Sequence, residues 1–108
     1  MNISNFRQSS ESFQLLETTG RTQTATLSLQ SGESTSEGWS HHPHSDQTVV
    51  LLNGELIAEV GDERSVLHSG ESLIIPAGVQ HRLSNEAGEP AFAFTVYAPP
   101  AYQTDDPS

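Results

Sequence analysis

Gly70-Glu71-Ser72-Leu73-Ile74-Ile75-Pro76-Ala77-Gly78-Val79-Gln80-His81-Arg82-Leu83-Ser84-Asn85 is the stretch from which the fold is read. Leu73-Ile74-Ile75 is a short apolar run, with two β-branched isoleucines, of the kind that forms strands. Pro76-Ala77-Gly78 ends it, because proline gives up its N–H and glycine accepts turn geometry. His81 to Ser84 resumes as a strand, and Asn85 opens the next turn, up to Pro90. Strand, tight turn, strand within sixteen residues predicts β-structure, and the pattern continues in both directions.

Upstream, Ser69-Gly70 is a turn after the strand Arg64 to His68, and Gly61-Asp62 is a turn before it. Asn53-Gly54 is a two-residue turn signal into Glu55 to Val60. Thr48-Val49-Val50-Leu51-Leu52 is apolar on both faces and predicts a buried strand. Thr22 to Gln30 alternates, with Thr24, Thr26 and Ser28 on one face and Ala25, Leu27 and Leu29 on the other. Phe13 to Glu17 is a further short apolar strand. Downstream, Ala91 to Tyr97 places Phe92, Phe94 and Val96 opposite Ala91, Ala93, Thr95 and Tyr97. No segment has a capped helical period. Short strands with closely spaced turns predict an all-β sandwich or barrel, and a closed double sheet limits exposed strand edges.

The 108 residues suffice for one domain with one modest core. The expected organisation is an N-terminal arm and first strand over 1–20, a barrel domain over 21–100 and a flexible acidic tail over 101–108. Fourteen acidic residues against four arginines and no lysine give a net charge of -10. That balance argues against nucleic acid and anionic membranes as partners, since both need a basic patch. No apolar run approaches the ~20 residues of a transmembrane helix. The N-terminal residues have no basic region followed by an apolar stretch, so a cytoplasmic location is expected. The absence of cysteine excludes disulfides, thiolate catalysis and iron–sulfur clusters within these residues.

Chemistry concentrates in Gly38-Trp39-Ser40-His41-His42-Pro43-His44-Ser45-Asp46-Gln47. Imidazole is the commonest metal ligand, and residues two apart on a strand share a face, so His42 and His44 can point together while His41 points away. Gln47 can add a carbonyl oxygen, and His81 is a candidate from distant sequence. Trp39 suits either a barrel mouth or the end of the core. His68 reads as surface, Asn85 as a turn residue, and Arg82 as a surface cation with a salt-bridge partner. Phe92, Phe94, Tyr97 and Tyr102 read as core or interface residues.

These residues resemble the cupin superfamily. Gly70, Pro76, Gly78, His81 and Asn85 match every fixed position of its second motif: glycine, five residues, proline, one, glycine, two, histidine, three, asparagine. In the first motif, Gln47 stands for the family's glutamate, and Gly54 follows after the required six residues. Its beginning admits three registers. Counting back four from Gln47 makes His42 the second histidine and puts Ser40 at the first. Pairing His42 with His44 leaves only two residues before Gln47. Starting at His41 puts Pro43 in the second position. The resemblance covers roughly residues 27–98.

The resemblance implies a single-domain double-stranded β-helix, or jelly roll. It also implies one divalent transition metal inside the barrel (zinc, nickel, iron, copper or manganese), held by His42, His44, Gln47 and His81. Some small cupins with glutamine at the Gln47 position bind metal and act on uronate sugars. A neutral oxygen donor would leave the ion its full charge, making it a stronger Lewis acid but more weakly held. The implied function is that of a small metal-binding cupin acting on a small molecule, with dioxygenase-type or sugar- or keto-acid isomerase-type chemistry. The other reading is a non-catalytic ligand-binding or sensor cupin with a degenerate metal site. No residue is singled out as catalytic acid or base. Small cupins pair through sheet edges or exchanged N-terminal strands, and Phe6, Phe13, Leu15 and Leu16 form an apolar arm, so a homodimer is expected.

Overall fold

The computed structural model describes residues 1–8, 11–35 and 42–103. Within them the chain forms one 3-10 turn, Phe6–Gln8, and eight strands: β1 (Phe13–Thr18), β2 (Gln23–Leu29), β3 (Asp46–Asn53), β4 (Glu55–Val60), β5 (Glu63–His68), β6 (Ser72–Ile75), β7 (His81–Ser84) and β8 (Ala91–Ala98). They build two antiparallel sheets, of order β1-β2-β8-β3-β6 and β5-β4-β7. This is the all-β double sheet that the turn-and-strand rhythm predicts, and the jelly roll that the resemblance implies. No helix among the described residues is long and apolar enough to cross a membrane.

The inner faces follow the period-2 pattern of half-buried strands. Leu27, Leu29, Val49, Leu51, Leu56, Ala58, Leu67, Ile75, Leu83, Ala91 and Ala93 form one core between the sheets. β3, expected to be buried on both faces, alternates instead. Val49 and Leu51 are buried, while Thr48, Val50 and Leu52 are half-buried on the outer face. Thr26, on the face opposite Ala25, Leu27 and Leu29, is also buried and only 1% accessible. It pairs with Phe94 across the ladder, and Phe6 lies edge-on to Phe94 at 5.6 Å and stacks on Phe92 at 6.0 Å. The start of the chain therefore covers the outer face there, a tertiary contact that alternation in β2 cannot signal.

Asn53-Gly54 is a turn, but not a hairpin. β3 lies in one sheet and β4 in the other, so the pair makes the corner between them. Gly54 has φ +86°, and a Cβ there would lie 2.7 Å from the Pro90 carbonyl oxygen and 2.8 Å from Ala91 Cα. Only glycine satisfies both the backbone angle and the close approach. Gly61-Asp62, by contrast, closes a true hairpin, with Val60 opposite Glu63. Asn85, fully buried, organises the loop after β7. Its Nδ2 donates to the Leu29 and Glu89 carbonyls at 3.0 and 2.7 Å, and its Oδ1 accepts from Ala87 N–H at 2.9 Å. Arg82 pairs with Glu59 across β4 and β7 at 3.1 Å.

Candidate metal and ligand site

At one end of the barrel the inner faces become polar. Along β8 the inward residues run Ala91, Ala93, Thr95, Tyr97, so small apolar side chains give way to hydroxyls. There the sheets enclose a cavity of about 250 Å³. His42, Gln47, His81, Thr95, Tyr97 and Tyr102 supply its polar lining, with Thr35, and Phe13, Leu27 and Leu83 its apolar walls. Sequence-distant elements converge on it. Gln47 comes from β3 and His81 from β7. His42 precedes β3, and its carbonyl accepts from Gly78 N–H at 2.8 Å. Asp46 Oδ1 accepts from Ala77 N–H at 2.9 Å. The Pro76-Ala77-Gly78 turn thus holds the His42 segment against the strand that leads to His81.

The His42 and His81 rings lie 5.3 Å apart between centroids, and Tyr97 meets His42 edge-on at 5.1 Å. His81 Nδ1 is 3.1 Å from the Val79 carbonyl. A carbonyl only accepts, so Nδ1 carries a proton and donates it to Val79. This backbone anchor is the type that orients metal-ligating imidazoles.

Gln47 is 4% accessible, and its orientation is set by a chain of bonds. Thr95 Oγ1 donates to the Thr48 carbonyl at 3.0 Å, which commits its only proton. It therefore accepts from Gln47 Nε2, also at 3.0 Å. The amide must turn its oxygen the other way, and that buried Oε1 has no hydrogen-bond partner among the described residues. An unpaired buried carbonyl costs about 1–3 kcal/mol, and a cation or a ligand donor would relieve it. Burial pushes the Tyr97 phenol far above its ordinary pKa; the nearby Tyr102 phenol adds to the rise and the Thr95 hydroxyl opposes it. The neutral form of the Tyr97 phenol is thus favoured over the phenolate.

Of the residues expected to bind metal, His42, Gln47 and His81 meet at this cavity. His44 is exposed and does not line it. Trp39, Ser40 and His41 lie outside the described residues. Among the described residues no three His, Cys, Asp or Glu side chains gather as a metal site; the candidate donor set has two imidazoles and a neutral amide. Thr95, Tyr97 and Tyr102 were not expected at the site. For the first two there was a signal, in two polar side chains closing a face that begins with alanines. Tyr102 carried none.

A family model for the cupin domain matches residues 25–97. The chain belongs to the cupin family. Among curated proteins, this cupin is 47% identical over 45 residues to the uncharacterised protein YdbB of Bacillus subtilis, covering 41% of this chain and 40% of YdbB. It is 35% identical over 65 residues to the tetracenomycin polyketide synthase protein TcmJ of Streptomyces glaucescens, covering 60% of this chain and 42% of TcmJ. The cupin therefore spans well under half the length of these two relatives. A solved structure of TT1209 from Thermus thermophilus superposes with a TM-score of 0.81 at 26% identity, covering 92% of this chain and 98% of that one.

Proposed function

We propose that this cupin binds one divalent transition metal through His42, Gln47 and His81, and a small oxygen-bearing molecule beside it in the same cavity. The observation that carries the reading is the buried, unpartnered Gln47 Oε1 on a cavity that it shares with two imidazoles. The donors suit a borderline ion such as zinc, nickel, copper or iron. When bound, such an ion supplies Lewis acidity that polarises a carbonyl or hydroxyl of the small molecule, which favours isomerase-type chemistry on a sugar-like or keto acid. The chain's own residues bind and orient. Tyr97, kept protonated, donates a hydrogen bond. Leu27, Leu83 and Phe13 keep water from the apolar side. Likeness to a polyketide synthase protein supports a small organic molecule as the occupant.

A second reading is a non-catalytic ligand-binding or sensor module. It is favoured by the lining: among the described residues no carboxylate, lysine or arginine faces the cavity, so acid–base work would fall to His42 and His81, the same imidazoles that would hold the metal. We also propose a homodimer. The deciding experiment for the metal is elemental mass spectrometry of the purified protein and of His81→Ala. The expected result is near one equivalent of a transition metal, lost in the variant; no metal after incubation with iron, nickel, zinc and manganese would overturn the reading.

A further inference from the structure

Tyr102 lies beyond the last strand, yet it forms part of the cavity wall. Its ring packs edge-on to His42 at 5.5 Å and to Tyr97 at 5.3 Å, and leans on Phe13 at 5.0 Å. It is 38% accessible, so one side faces solvent while the other faces the imidazole. Nothing in the strand ladder holds it there. One buried side chain does. Gln23, fully buried at the start of β2, donates from Nε2 to the Tyr102 carbonyl at 2.9 Å and to Thr18 Oγ1 at 3.0 Å. Its Oε1 accepts from the Ala101 and Tyr102 N–H groups at 3.2 and 3.0 Å. Both donors and both lone pairs of the amide are used, and three of the four bonds grip the same two residues.

We infer that Tyr102 is a specificity-determining residue of this cavity, a wall between His42 and solvent, and that Gln23 is the positioning residue that seats it. The inference rests on the reading of the cavity as the ligand site. It assigns the outer limit of the ligand to a residue outside the barrel strands. Molecules that fit beneath the phenol ring reach the imidazoles; bulkier ones are stopped at the ring. A buried amide bonded at every position gives a fixed wall rather than a drifting tail, since releasing the segment would strand the amide in an apolar setting.

The test uses diethyl pyrocarbonate, which modifies accessible neutral imidazoles, with each histidine followed separately by mass spectrometry. In the unmodified protein, exposed His44 should react fast and His42 slowly. Tyr102→Ala should accelerate His42 without changing His44 or His68, while Tyr102→Phe, which keeps the ring, should stay at the parent rate. His42 reacting as fast as His44 in the parent, or no faster in Tyr102→Ala, would overturn the inference. The clamp has its own readout without a variant: the Ala101 and Tyr102 amides should exchange with solvent slowly, and exchange at the free-peptide rate would remove Gln23 from its role. Added Ni²⁺ separates the two proposals. Protection of His42 by Ni²⁺ in Tyr102→Ala supports the metal reading; acceleration without protection strikes that reading alone and leaves the Tyr102 wall supported.

Discussion

Thr95 shows how much one hydroxyl can decide. By donating to Thr48 and accepting from Gln47, it fixes which end of a buried amide is the nitrogen and leaves the oxygen without a partner among the described residues. Thr95→Val removes the acceptor and frees the amide to turn. Metal affinity is expected to fall about tenfold, as for other partners of metal ligands, with Thr95→Ser restoring it; titration calorimetry with Ni²⁺ reads both. On the surface, Glu71 accepts from the His68 backbone N–H at 2.7 Å and lies 3.1 Å from His68 Nδ1. These bonds, the backbone one first, hold its carboxyl below the usual carboxylate range. A depressed folded pKa favours folding once an unfolded glutamate would be ionised, and that gain is lost as pH falls through the folded value. Glu71→Gln should therefore melt below the parent at neutral pH, with the gap closing below about pH 4. A gap that persists in acid would refute the assignment. His42, Gln47 and His81 were legible as a set, because family motifs carry residue types at fixed spacing. Their meeting inside the barrel was implied by the resemblance, but the exposure of His44 and the tyrosines that line the same cavity were not legible.

The strands themselves were readable almost residue by residue, since turn chemistry and period-2 alternation are local. What neighbouring residues could not report was which strands pair. The Asn53-Gly54 signal is equally good for a hairpin and for a corner, and the difference lies in Pro90 and Ala91, brought against Gly54 from far along the chain. Gly54→Ala adds both a strained φ and a clash with backbone, so urea denaturation is expected to show a loss of about 1–3 kcal/mol. An unchanged midpoint would mean that the corner relaxes freely. The outward faces of β8 and β2 make the same point. Their partial burial depends on Phe6, which belongs to a segment that composition alone reads as a loose arm.

At the scale of the molecule, two of the four apolar residues expected to serve pairing are used within the chain: Phe6 against Phe92 and Phe94, and Phe13 against Tyr102. β6 still ends the five-stranded sheet with Ile74 63% exposed, an edge of the kind that proteins cover or pair. Sedimentation is expected to give a particle of twice the 11.7 kDa chain mass, and a particle at the single-chain mass would exclude the homodimer. The net charge of -10 with no lysine was readable at once and disfavours polyanionic partners, because charge is additive along the chain. The all-β class, the strand set and the candidate donors were likewise determined by the sequence, through local backbone preferences and motif spacing. The tertiary structure alone decided that Gln47 keeps a buried oxygen without a partner among the described residues, that Gln23 reaches across 79 residues to bond Tyr102, and that His44 is exposed and does not line the cavity. Each of those depends on contacts between residues far apart in sequence, whose direction no local pattern encodes.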